Sequence, residues 1–164
     1  MSSQTEICNR AIIRIAGSNP ISTIDEDSQE ARLLTQIWNG VRTGLLRAHT
    51  WNFAINYQNL VQITPKPASE YDYVYALPAD CLKVVAAYRP SGEWKRRGNL
   101  IHSDSDEFNL IYIRDITDTT LFDPLFEECL VLKLAYELNT AIAPNETRQN
   151  QLMAEFNMKF KEVS

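Results

Sequence analysis

Apolar residues recur at helical spacing at both ends of the chain and at strand spacing in its middle. Near the start, Ile7, Ala11, Ile12, Ile15 and Ala16 fall on one helical face, with Ser3 or Thr5 placed to cap it. Gly17 supplies a C-terminal stop, and Pro20 lies just beyond. A second helix is expected to open at Asp25-Glu26-Asp27, whose carboxylates complement the helix dipole, with Ser28 in the same turn. Its apolar stripe is Ala31, Leu34, Ile37, Trp38, Val41, Leu45 and Ala48, with Arg32, Arg42 and Arg47 off it. Gly40 and Gly44 each weaken such a helix by about 1 kcal/mol relative to alanine, and their spacing suits a close helix crossing.

From Trp51 the period changes. Phe53, Ile55 and Tyr57 alternate with other residues, and Leu60, Val61 and Ile63 follow. The stretch from Thr64 to Ser69 holds Pro65 and Pro67 and reads as a loop. Tyr71, Tyr73 and Tyr75 then alternate as one face of a strand would. Leu77 to Leu82 predicts a turn feeding a strand from Val84 to Tyr88, and Arg89-Pro90-Ser91-Gly92 predicts another turn. Trp94 to Arg97 and Leu100 to His102 flank Gly98-Asn99 as a hairpin. A last strand, Leu110 to Arg114, follows an acidic loop around Asp104, Asp106 and Glu107.

Helices then return. Asp123 caps, Pro124 takes the first helical position, and Leu125, Cys129, Leu132, Tyr136 and Ile142 are in phase up to Pro144. Asn145 caps a final helix with Leu152, Phe156 and Phe160 on one face. The expected fold class is α+β: a bundle of about four helices carrying an antiparallel β subdomain of about five strands. It is expected as a single domain over 1–164, with two helices in 3–50, the β insertion in 51–116 and two helices in 122–163.

Composition narrows the class of function. The formal net charge is −5, which argues against a dedicated DNA or membrane-surface binder. Cys8, Cys81 and Cys129 lie far apart among apolar neighbours, an odd count that forms neither a disulfide framework nor a zinc site. The apolar run from Ala11 to Ala16 is broken by Arg14, so the start does not read as a signal peptide. No stretch approaches the roughly 18 apolar residues of a membrane span.

A search for chemistry returns nothing. His49 ends the second helix, where capping or packing explains it, and His102 lies on the hairpin near Asp104. A catalytic histidine needs a nucleophile and an orienting carboxylate, and no motif supplies them. No residue is assigned a catalytic, metal-binding or cofactor-binding role, and no cofactor is expected. The basic run Lys95-Arg96-Arg97 beside Trp94 admits three readings: a nucleic-acid contact, an acidic protein partner, or a solvated hairpin tip. The acidic surroundings favour the last two. Phe156 and Phe160, with Lys161 beyond them, suit either a partner's groove or burial in the chain's own bundle.

Several stretches resemble the tail tubular protein A family of phage head–tail adaptors. They are Ile7-Cys8-Asn9-Arg10-Ala11 with Ile15-Ala16-Gly17 and Pro20-Ile21, and the helix from Ala31 ending in Trp51-Asn52-Phe53-Ala54. Tyr75-Ala76-Leu77-Pro78-Ala79-Asp80-Cys81-Leu82-Lys83-Val84 resembles the start of the family's β insertion. Thr119 to Phe126, running into Leu134-Ala135-Tyr136-Glu137-Leu138, resembles its closing helix. The likeness runs from about residue 4 to residue 160, and the order and spacing of the motifs carry it. The chain stops soon after the fourth helix, so a longer C-terminal extension is not expected.

The resemblance implies a structural, non-enzymatic subunit of the virion neck, assembled in the host cytoplasm. It would form a homo-oligomeric ring, expected to be dodecameric, beneath the portal protein. The ring would extend the DNA channel, let double-stranded DNA pass without specific binding, and present a platform for the nozzle or other tail proteins. No membrane partner is implied. Trp94, Lys95, Arg96, Arg97, Phe156, Phe160 and Lys161 are the candidate contact residues. Competing readings are a stopper or tail-completion protein, a tail-borne peptidoglycan hydrolase, and a nucleic-acid-binding module.

Overall fold

The computed structural model describes residues 2–15 and 18–163. The chain forms two compact units, one from Met1–His49 with Ile116–Ser164 and one from Thr50–Asp115.

The first unit is helical: α1 (Gln4–Ile12), α2 (Gln29–Ala48), α3 (Pro124–Ile142) and α4 (Glu146–Lys161). Each helix starts on a side-chain cap, which satisfies amide hydrogens that lack a partner within the helix. The Ser3 hydroxyl accepts from the Glu6 amide at 3.1 Å, and the Glu6 carboxylate accepts from the Ser3 amide at 3.1 Å. Ser28, Asp123 and Asn145 cap the other three helices in turn.

Two boundaries differ from expectation. The first helix ends at Ile12, and the expected stop at Gly17, with Ala16 before it, lies outside the described residues. The acidic cluster does not start the second helix. That helix begins at Gln29 under the Ser28 cap, while Glu26 turns back to accept from the Ser22 and Thr23 amides. A carboxylate can serve free amides in a turn as well as at a helix start, and here the turn has them. Those amides hold the Glu26 carboxyl below its ordinary value.

Helix α3 packs against α1, α2 and α4. Phe126, Cys129, Leu130, Val131, Leu132, Leu134, Ala135 and Leu138 are all buried, so it is apolar nearly all round. The phase expected from Leu125, Tyr136 and Ile142 marks only its half-buried flanks. On α2, Arg42 is the departure: it lies inside, 3% exposed, where the sequence placed it off the apolar stripe.

Cys8 and Cys129 are buried free thiols, and Cys81 is half-buried. Burial pushes the Cys8 thiol up from 9.0 to about 12. Burial first, then the Glu128 charge, pushes Cys129 up to about 11. In the unfolded chain both thiols ionise near pH ~8.5. The folded values lie above that, so the thiols' contribution to stability is complete below pH ~8.5 and is lost as pH rises towards 11 and 12. Urea midpoints are therefore expected to fall steadily above pH ~9, with both thiols protected from maleimide in the native state. Labelling of Cys8 and Cys129 as fast as in urea would contradict this burial.

The second unit holds six strands in place of about five, arranged in two three-stranded antiparallel sheets. They are β1 (Ile55–Asn59), β2 (Tyr73–Ala76), β3 (Cys81–Tyr88), β4 (Trp94–Arg97), β5 (Leu100–Ser103) and β6 (Asn109–Arg114). The sheet orders are β1-β6-β3 and β2-β5-β4. Phe53 sits in a short 3-10 turn before β1, and Tyr71 lies outside β2, although its ring is buried. The Gly98-Asn99 turn joins β4 to β5 as expected, with Gly98 at φ +60, which glycine adopts without steric cost. Leu60, Tyr75, Ile101, Phe108, Leu110 and Tyr112 form the core of this unit.

Candidate functional site

The helical unit carries an apolar groove of about 600 Å³. One wall is α2, through Ile37, Val41 and Leu45, and the opposite wall is α4, through Phe156 and Phe160. Lys133 and Glu137 of α3 contribute its polar atoms. The two phenylalanines stack at 5.6 Å, and the His49 ring meets Phe160 edge-on at 6.5 Å. The Lys133 ammonium lies 5.3 Å from the Phe156 ring centre, a cation–π contact that holds the wall in place.

Gly40 and Gly44 line this groove. A methyl group built on either would meet nothing within 4 Å, so no described helix crosses there. Their spacing on α2 therefore lays open a surface, although it would equally suit a close crossing. Replacing both with alanine is expected to stabilise the helical unit by about 1 kcal/mol per site, since the helix gains propensity without a clash. Denaturant unfolding checks this. A loss of stability would mean that the groove is filled in the folded chain.

The sequence candidates separate into two places. Phe156 and Phe160 are brought together in the groove, while Lys161 is exposed at the last turn of α4 and does not line it. In the β unit, Trp94 is half-buried against the core, edge-on to Phe108 at 5.3 Å. Lys95 and Arg96 are exposed on β4, which is an edge strand of its sheet. Charges on an edge strand discourage pairing with other chains, which gives this basic run a structural reason to exist. Arg97 donates to Glu70 through both terminal guanidinium nitrogens, the Nη1 bond at 2.7 Å. That pairing pulls the Glu70 carboxyl down to about 2.

Glu70 follows the loop expected from Thr64 to Ser69, and the two together lie as a strap. Ser69 Oγ is 2.7 Å from His102 Nδ1, the Tyr71 amide donates to Ser69 Oγ at 3.0 Å, and Lys66 Nζ donates to the Tyr71 carbonyl at 2.8 Å. His102 and Tyr71 are buried beneath it. The Ser69–His102 contact pins the strap to β5, and no carboxylate hydrogen bond orients the imidazole among the described contacts. Three or more metal-ligating side chains do not cluster anywhere among the described residues.

An open apolar groove of this kind marks a surface that interacts with other molecules. The family model for tail tubular proteins matches residues 8–154. The chain belongs to the tail tubular protein family, the structural components of phage tails. A comparison with curated proteins found no match. The family is structural and not enzymatic, and membership makes this chain a virion component. No described helix is long and apolar enough to cross a membrane.

Proposed function

We propose that this chain is the head-to-tail adaptor subunit of its phage. Copies form a ring beneath the portal, extend the DNA channel, and present a platform to which the nozzle or other tail proteins attach. The observation that carries the reading is the family match over residues 8–154. The physical features agree with it. A chain of net charge −5 repels the phosphate backbone, so DNA passes a lumen of such subunits without being held. The groove between α2 and α4 offers an apolar surface that this chain leaves uncovered. Trp94, Lys95, Arg96 and Arg97 on the hairpin, and Phe156, Phe160 and Lys161 on α4, remain the proposed contact residues.

The test is to mix the purified chain with the portal ring of its phage and image the mixture by negative stain. A new layer on the tail-side face is expected, with a subunit number expected to be twelve from the family resemblance. An intact portal with no added layer would overturn the adaptor reading in favour of a later tail-completion role. The free chain is expected to be a monomer or weak oligomer by light scattering, because a ring formed early would block ordered assembly.

A further inference from the structure

The sheet β1-β6-β3 differs from the rest of the molecule in charge and in exposure. The whole chain carries 21 Asp and Glu, yet none of them falls in these three strands, whose only charged residues are Lys83 and Arg114. Three of the seven large hydrophobic side chains exposed among the described residues belong to this sheet: Tyr57 at 65%, Tyr88 at 48% and Val85 at 37%.

Strand register gathers them on one face. Tyr57 stands opposite Ile111, which stands opposite Ala86. Two residues along, Asn59, Asn109 and Tyr88 form the next row on the same face. Val85 sits at an irregularity of β3 between the pairs made by Val84 and Ala86, which turns it outward. Arg89 continues the face. Its guanidinium lies 5.2 Å from the Tyr88 ring centre, and its backbone is held at φ 47, a left-handed conformation that costs a non-glycine residue energy.

Tyrosine and arginine, with no carboxylate in the strands and only Glu107 reaching Asn59 at the rim at 3.5 Å, is the composition of a protein interface core. Its charge calls for an acidic partner. This chain contains one: the helical unit, residues 1–49 and 116–164, holds 13 Asp and Glu against 9 Lys and Arg. We infer that the exposed end of this face, around Tyr57, Val85, Tyr88 and Arg89, is the surface by which one copy docks onto the acidic helical unit of the next copy. This rests on the ring reading above and deepens it. The two contact surfaces are different, so the contact is head-to-tail, the kind that generates a ring when its rotation closes.

The experiment first confirms that the unsubstituted chain adds its layer to the portal; absence of that layer would be a failure of the adaptor reading itself. With the layer present, a photo-crosslinking p-benzoylphenylalanine is placed at position 57 and the joined peptides are identified by mass spectrometry. Mixing isotope-labelled and unlabelled copies separates crosslinks between copies from those within one. Crosslinks from position 57 to residues of another copy's helical unit are expected. Alongside, the double variant Tyr57→Glu, Tyr88→Glu is expected to reduce ring occupancy at least about tenfold, while Val61→Glu, an exposed apolar-to-acid change in the β unit but outside these three strands, leaves it unchanged. Circular dichroism of each variant, matching the unsubstituted chain, shows that the fold is kept. Rings that form normally in the double variant, or crosslinks only to the portal or to another β unit, would overturn the inference.

Discussion

Phe108→Ala is expected to destabilise the β unit by about 3–5 kcal/mol, the cost of removing a buried aromatic ring and leaving a cavity that the surroundings do not fill. Phe108 is fully buried. Its ring centre lies 5.7 Å from that of Tyr75 and 5.3 Å from that of Trp94, so two further aromatic side chains lose a face when it goes. For a chain of this length the loss corresponds to a fall in Tm of roughly 6–20 °C. Thermal unfolding followed by circular dichroism reads it directly. Because Trp94 rests on Phe108, the variant also tests the hairpin, and its loss should loosen the Trp94 contact before Lys95 or Arg96 is touched. A change below about 1 kcal/mol would show that Phe108 does not organise this core.

The second large effect is expected at Arg42. Its Nη1 donates to the Ile116 carbonyl at 2.8 Å, and Nη2 donates to Asn39 Oδ1 at 3.3 Å. The side chain is nine-tenths or more buried, so Arg42→Ala removes a charge-assisted bond, strands the Ile116 carbonyl and empties the space of the aliphatic stem. A loss of about 2–4 kcal/mol is expected. Arg42→Met keeps the stem and should lose less, which separates packing from hydrogen bonding. Chemical denaturation of the three proteins decides it. Equal losses in both variants would place the whole effect in the hydrogen bonds, and no loss in either would mean that Arg42 does not anchor Ile116.

Polar contacts in both units serve structure: buried Arg42 holds the chain at Ile116, and buried His102 with half-buried Ser69 holds the strap. Apolar and aromatic surface also stays exposed, in the groove of the helical unit and on the face of β1-β6-β3. The ring proposed above would draw on that distribution, since exposed apolar patches mark surfaces that bind other proteins.

Local chemistry settled much of the outcome. The caps at Ser3, Asp123 and Asn145, the Pro124 start and the hairpin at Gly98-Asn99 depend on residues within a few positions of one another, so they were legible in the sequence. Helical period at both ends and strand period between them identified an α+β fold, and the order of the motifs identified the family. Competition between partners was not legible, whether near or distant in sequence. Glu26 could serve a helix start ahead of it or a turn behind it, and the Ser22 and Thr23 amides that won lie only four and three positions away. Arg42 looked like a surface charge because its acceptor, the Ile116 carbonyl, lies 74 positions away. Gly40 and Gly44 gave the same signal whether they faced a helix or open space, and the paths of α3 and α4 decided for open space. Sequence alone thus determined the elements and the family, because both rest on short-range pattern. The tertiary structure decided which polar groups are buried and which apolar faces are left open, because both depend on what the fold sets against them.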